Sequence, residues 1–409
     1  MTYQPPVGAR DLFPLDVAQK RWIEDRVQQV FHRWGYHRII TSTLERMDTL
    51  MAGGAVQRST VLQLQTGSEE ELGLRPELTA SIARAAVTRM AGMPPPLRLY
   101  YTSNIFRRSP GGLVDHQQEF YQAGIELLGA AGVRADAEVL LLLVDCLQSL
   151  QLQDCHLVLA EAGLTRSLLA DFPDAVRASV RRAIADLDRL SLESLPLTDD
   201  QRARALLLLD LRGRPQDVLQ RVLSLPLTAE QQASVHNLKA LIELLNDSLA
   251  HMGTSIPDIV LDLSLIQTFD YYTGIVFEVV SDRPSGRQVL GQGGRYDQLL
   301  GLYHPQRDSA PGVGFVFNIE ALHHVLLPAG QLPIHTPTAQ WLVVPATPHA
   351  YAAAFAHAQT IRNSANLVRV ELGLGVQSSP DDIRAYGRDR RISQLAWVNE
   401  DGTVTIEAL

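Results

Sequence analysis

Residues 267–278 read Gln-Thr-Phe-Asp-Tyr-Tyr-Thr-Gly-Ile-Val-Phe-Glu, and soon afterwards residues 291–299 read Gly-Gln-Gly-Gly-Arg-Tyr-Asp-Gln-Leu. This pair of segments restricts the fold more than any other feature of the chain. β-Branched and aromatic residues between turn signals make Gly274 to Ser281 a strand. Glycines so close to it let another backbone or a ligand approach. Tyr272 and Tyr296 supply flat apolar walls that end in hydroxyls. Two tyrosines alone are more often core, but the polar segments described below turn the pair into one side of a binding cavity.

The chain has 409 residues, 46% hydrophobic and 20% charged, enough for two or three domains with a large core. Cys146 and Cys155 are its only cysteines, too few for a disulfide framework and without zinc-ligand spacing. A reducing cytoplasm suits such a protein, and no cofactor or metal is expected. The start, Met-Thr-Tyr-Gln-Pro-Pro, lacks a basic region followed by an apolar one, and the apolar stretch Val139 to Val144 is cut by Asp145. Export and membrane spanning are therefore not expected. Net charge is −9, and Lys20 and Lys239 are the only lysines, which gives no general electrostatic footprint for nucleic acid.

Apolar Val17, Trp22, Ile23, Val27, Val30, Phe31 and Trp34 recur near helical spacing. They predict a helix capped by Asp16 and stopped at Gly35. Tyr36 to Leu44, Leu97 to Phe106, Glu119 to Leu128, Ile259 to Leu265 and Gly312 to Phe317 join Gly274 to Ser281 as expected strands. Long helical tracts separate them instead of regular βαβ alternation, so the expected class is α+β on a mainly antiparallel sheet. Residues 131–256, rich in leucine, alanine, arginine and glutamine and punctuated by prolines, suit a helical insertion without chemistry of its own. After a proline-rich connection, residues 338–409 alternate strand and helix as a small α/β domain. Its expected strands are Gln340 to Pro345, Leu367 to Leu372, Ser393 to Val398 and Thr403 to Ala408, and its helices Ala350 to Ile361 and Pro380 to Arg388. Arg384, Arg388, Arg390 and Arg391 read as a solvated helix end.

Two further segments carry polar groups toward one another. Leu74-Arg75-Pro76-Glu77-Leu78-Thr79 sets a carboxylate and a hydroxyl before an alanine-rich helix, after a proline that fixes the backbone. Either could cap that helix, and Glu77 could instead meet an ammonium group. Ile105-Phe106-Arg107 leads through a turn at 109–112 to Gln118 to Glu126. There, period-two alternation puts Phe120, Gln122, Gly124 and Glu126 on one strand face.

Gly8-Ala9-Arg10-Asp11 with Pro14, Tyr36 to Glu45, Leu74 to Thr79, Phe106-Arg107, Gln118 to Glu126, Asp270 to Glu278, Gly293 to Asp297 and Gly314 to Leu322 follow the order of the histidyl-tRNA synthetase family, which residues 1–325 resemble. The resemblance implies a class II synthetase-like antiparallel sheet flanked by helices, with residues 1–130 and 257–327 as its core, dimerised through its first motif. It also implies that histidine is held by Glu77, Thr79, Gln122, Glu126, Tyr272 and Tyr296, and Arg107 and Tyr271 join them as candidate histidine-binding residues. Carboxylates can take an ammonium group and an imidazole N–H while tyrosines enclose the ring.

Several positions depart from that family. It carries arginines at the places of Ala321, Gln267 and Gln118, and a glutamate at that of Ser109, so of the groups that handle a triphosphate only Arg107 remains. If one preorganised donor is worth roughly 3 to 4 kcal/mol, losing two clamp arginines slows activation by about 10⁴-fold or more. Ser42 replaces the first-motif proline, and the tail resembles a shortened anticodon-binding domain. A synthetase-like body that keeps amino-acid contacts and loses ATP contacts resembles the regulatory subunits of ATP phosphoribosyltransferase, the first enzyme of histidine biosynthesis. That resemblance implies a chain with no catalytic residue. It also implies a short-form catalytic subunit as partner in a hetero-octamer containing a homodimer of this chain, and histidine as feedback effector. An active histidyl-tRNA synthetase, with a retained tRNA role for the tail, is the alternative.

Overall fold

The computed structural model describes residues 4–54, 56–65, 70–108, 117–152, 154–254, 257–266, 271–283, 286–364, 368–375 and 379–409. The expected turn at 109–112, Ser109, Gln267 and Asp270 lie outside them. The chain divides into a unit that ends at Leu332 and a second unit, Pro333–Leu409. The division falls within the proline-rich connection. Among the described residues no helix is long and apolar enough to cross a membrane.

A nine-stranded sheet organises the first unit. Its strands lie in the order His37–Arg38, Leu97–Phe106, Glu119–Leu128, Gly312–Asn318, Gly286–Arg295, Ile275–Arg283, His156–Glu161, Asp258–Asp262 and Arg212–Gly213. The first pair and the pair His156–Glu161 with Asp258–Asp262 are parallel, and the other neighbours are antiparallel. Alternation sends Tyr100, Ile125 and Phe315 to one face, where they pack with Ile23, Phe31, Leu140 and Leu322 from covering helices. Burying each such side chain stabilises the fold by about 1.5–3 kcal/mol. The opposite face holds a smaller cluster of Tyr101, Ile105, Tyr272, Tyr296, Leu78 and Ile82, beneath helix Thr79–Thr88. The candidate site lies on that second face.

Four expectations about local structure need correcting. The first helix spans Pro14–Arg33 with Phe13 as its N-cap, and Asp16 stands at its third position, accepting the Phe13 N–H at 2.9 Å. A proline preset for helical φ at the first position draws the start forward. Tyr36 to Leu44 is not one strand but two short pieces, His37–Arg38 and Leu44–Arg46. The Thr41 and Ser42 carbonyls accept from the buried Arg75 guanidinium at 2.9 and 3.3 Å, and Ser42 Oγ turns back to the Leu44 carbonyl at 2.6 Å. Strand His156–Glu161 falls inside the tract expected to be helical. Strand Gly286–Arg295, which pairs with both Ile275–Arg283 and Gly312–Asn318, was not anticipated.

In the second unit, strands Val370–Leu372, Trp341–Pro345, Gln394–Val398 and Val404–Ala408 form one sheet in that order. Helix Tyr351–Arg362 covers one face through Ala354 and Ala358, and helix Pro380–Asp389 covers the other through Ile383 and Tyr386. The start of the expected strand at Leu367 lies outside the described residues. Arg384 pairs with Glu407 at 2.6 Å and Asp381 at 2.8 Å, and Arg390 pairs with Glu371 at 3.2 Å. Half of the suspected charge run is thus already neutralised within the unit.

Candidate functional site

The sheet face under helix Thr79–Thr88 carries one cavity. Glu77, Thr79, Arg107, Gln122, Glu126, Tyr271, Tyr272 and Tyr296 all line it. Five separate stretches of sequence therefore meet at one place. Strand Glu119–Leu128 points Gln122 and Glu126 inward, and Gly124 lies between them because a Cβ there would sit 2.6 Å from the Tyr101 hydroxyl. Pro76 turns the chain so that Glu77 stands at the start of the helix.

The two carboxylates are held differently. Glu77 Oε1 accepts the Ala80 N–H at 2.9 Å and so caps the helix. Its Oε2 is buried and has no hydrogen-bond partner among the described residues. The cap thus uses one oxygen of the Glu77 side chain and leaves the other without a bond among the described residues. Burial pushes its pKa up, against the backbone bonds at Ala80 and Thr79 and the charge of Arg107. A buried carboxylate with one idle oxygen gains from a cationic donor.

Glu126 is fully enclosed. Thr79 Oγ1 donates to its Oε1 at 2.8 Å, and the Tyr296 hydroxyl donates to Oε2. Burial raises this carboxyl to about 8, and the two hydroxyl bonds oppose the rise. Near neutral pH burial therefore favours its protonated form.

Tyr271 packs against Tyr272 and Tyr296 with ring centroids 4.8 and 5.8 Å apart. Burial raises all three phenols, so they act as neutral walls and donors. Arg107 is the single cation among the described lining residues. Its Nε donates to the Pro76 carbonyl at 2.6 Å, and burial lowers its pKa while Glu77 raises it. The walls leave only about 30 Å³ free, room for about two waters. That space is smaller than an amino acid in this arrangement.

Tyr101 and Gln292 also line the cavity and were not among the expected residues. Both come from strands whose inward face was not assigned. Gln292 was visible as the one polar side chain in a run of glycines. The residues expected to distinguish ATP handling are arranged otherwise. Glu320 accepts the Tyr121 N–H at 3.1 and 3.2 Å and lies 3.6 Å from Arg10. Ala321 is buried, with its N–H on Asn318 Oδ1 at 3.0 Å. The backbone of Gln118 bonds Gly8 and Arg107. Among the described residues there is no cluster of histidine, cysteine and carboxylate groups able to hold a metal.

Known proteins resemble this chain in sequence and in fold. Residues 8–322 match the family described as histidyl-tRNA synthetase. An ATP phosphoribosyltransferase regulatory subunit of Trichormus variabilis is 64% identical over 407 residues, covering 100% of this chain and 99% of that protein. One of Nostoc punctiforme is 61% identical over 409 residues, covering 100% of both. A solved structure described as an ATP phosphoribosyltransferase regulatory subunit/histidyl-tRNA synthetase from Bacillus halodurans superposes with TM-score 0.81 at 26% identity, over 98% of this chain and 99% of that one. The histidyl-tRNA synthetase of Nostoc sp. PCC 7120, 18% identical with TM-score 0.80 over 100% of this chain and 97% of that one, shares the fold.

Proposed function

From a chain that belongs to the ATP phosphoribosyltransferase regulatory subunits, within the histidyl-tRNA synthetase family, we propose that free histidine occupies the tyrosine-walled cavity and reports its concentration to a catalytic partner. The chain is a non-catalytic regulatory subunit. Its partner in this reading is a short-form catalytic subunit, which needs the chain for activity, in a cytoplasmic hetero-octamer built on a homodimer of this chain. The observation that carries the proposal is the pair of buried carboxylates, Glu77 with an idle oxygen and Glu126 raised to about 8, facing a cavity with one cation.

The ammonium of histidine pairs with Glu77, and an imidazole N–H donates to Glu126 between the walls of Tyr272 and Tyr296. Arg107 takes the carboxylate. Because the walls enclose so little space, the ligand must bind a rearranged state more tightly than the closed one. That differential affinity is the physical requirement for an effector. Coupling of about 1–3 kcal/mol to the partner suffices for feedback inhibition.

Glu320 is committed to the Tyr121 backbone and Ala321 supplies no guanidinium, which favours this reading over synthetase activity. Calorimetric titration of histidine tests the pocket, and histidine-dependent ATP–pyrophosphate exchange tests the alternative. Binding without exchange is expected. Exchange would establish a synthetase, and absence of binding, with or without the catalytic subunit, would reject the effector site. Activity of the short catalytic subunit, measured with and without this chain and histidine, tests the regulatory assignment.

A further inference from the structure

None of the described residues between 131 and 256 lines the cavity, yet they grip both of its main tyrosine walls. Strand residue Arg295 directly precedes Tyr296. Its Nε and Nη2 reach Asp136 Oδ1 of helix Val133–Ser149 at 2.9 and 2.6 Å, and its Nη1 reaches Asp297 at 2.9 Å. Both Arg295 and Asp136 are buried. Burial raises Asp136 and the Arg295 charge opposes that rise, so the pair is held as an ion pair only while its geometry is kept.

The second grip is on Tyr272. Arg166, on helix Ala162–Ala170, donates from Nη2 to the Tyr272 carbonyl at 2.9 Å. The same helix starts with the Ala162 N–H on the Gly274 carbonyl at 2.8 Å, and a Cβ at Gly163 would meet the Thr273 carbonyl at 3.1 Å. The two gripped segments are also tied to each other. The Thr273 N–H donates to the Arg295 carbonyl at 2.8 Å, and the Asp297 N–H donates to Thr273 Oγ1 at 2.9 Å. A Cβ at Gly274 would lie 2.9 Å from Arg295 Cδ. Tyr272 and Tyr296 are therefore positioned as one unit; the sheet holds it through the Tyr296 N–H on the Gly312 carbonyl at 2.7 Å, and the helical tract adds the two side-chain holds of Asp136 and Arg166.

We propose that the tract formed by residues 131–256 clamps the Tyr272 and Tyr296 walls in their closed arrangement, with Arg166, Asp136 and Arg295 as positioning residues. The clamp gives the ligand cavity a lever outside itself: whatever displaces the tract alters the cavity, and whatever opens the cavity strains the tract, by reciprocity. This inference rests on the proposed effector site for its ligand, but the position of the tyrosine rings can be read without any ligand.

The test compares Arg166→Met and Arg295→Lys with the unaltered chain. Arg166 is exposed, so its replacement leaves the melting temperature nearly unchanged. Arg295→Lys keeps the buried charge but cannot reach Asp136 and Asp297 together, because lysine lacks the fork. Near-ultraviolet circular dichroism of the unliganded proteins should show altered tyrosine bands in both. Histidine affinity should rise by about 2- to 30-fold in Arg166→Met, the range expected when a restraint distant from the ligand is released. Tyrosine bands unchanged in both folded variants would overturn the clamp, as would equal or weaker histidine affinity in Arg166→Met. If the unaltered chain binds no histidine, the effector reading fails by itself. The tyrosine bands then still decide the clamp.

Discussion

The two ends of the site have diverged in opposite directions. At the end formed by Glu77, Glu126 and the tyrosines, every expected side chain reaches one enclosed space, and two buried carboxylates stand there with at most one cation nearby. At the end marked by Glu320, the carboxylate is taken up by the Tyr121 N–H of strand Glu119–Leu128 and the next residue is a buried alanine. A buried carboxylate is costly to keep without a cationic partner, and in the proposed reading a bound ligand repays that cost at the first end. The second end has relaxed into ordinary structure.

The largest effect should come from replacing the carboxyl at the first end, which would ionise to accept the ligand's N–H. Glu126→Gln should weaken histidine binding by about 100-fold or more, the scale of losing one partner of a buried charged hydrogen bond. The same change should stabilise the unliganded chain. Because burial raises Glu126 from 4.5 to about 8, the native state keeps a proton that the unfolded chain releases. That contribution is full below about pH 4.5 and is lost as pH rises through about 8. Denaturant unfolding across pH 5 to 8 should show the unaltered chain weakening relative to Glu126→Gln, by of the order of 3 kcal/mol near neutrality. Parallel profiles would mean that the carboxyl is ionised throughout, and the contrast between the two ends would lose its physical basis.

An intermediate effect is expected from rebuilding the second end. Ala321→Arg places a guanidinium where the side chain is buried, and should cost about 1–3 kcal/mol by overpacking and desolvation. Exchange between ATP and pyrophosphate should stay absent, since the glutamate beside it remains tied to Tyr121. Recovery of exchange would show that a single arginine separates the two activities. Tyr296→Phe should have the smallest effect. It removes one hydroxyl from Glu126 and should reduce histidine affinity by roughly fivefold, close to one neutral hydrogen bond. An isotherm indistinguishable from the unaltered chain would place the imidazole elsewhere.

Much of this contrast was legible in the sequence, and the reason differs by segment. Leu97–Phe106 and Glu119–Leu128 have the predicted limits, because in each a long run with recurring aromatic and β-branched residues lies between clear turn signals. Alternation from Gln122 to Glu126 then gave the inward face directly. His156–Glu161 was lost because a short apolar run amid leucine-rich helices has no period that separates strand from helix. Gly286–Arg295 was lost because its glycines weaken strand propensity. They are present because a Cβ at Gly293 or Gly294 would meet Phe277 or Tyr272 at 2.7 Å, a demand that only the paired neighbours reveal. Arg75 and Arg295 sit inside recognisable motifs, but their partners are distant in sequence, Thr41 and Asp136 among them. Their roles as buried ties therefore emerged only with the fold.

The most direct measurement is calorimetric titration of histidine into the unaltered chain and into Glu126→Gln under the same conditions. The account predicts one saturable site in the first and a loss of about 100-fold or more in the second. Histidine binding of equal strength in both, or none in either, would contradict it.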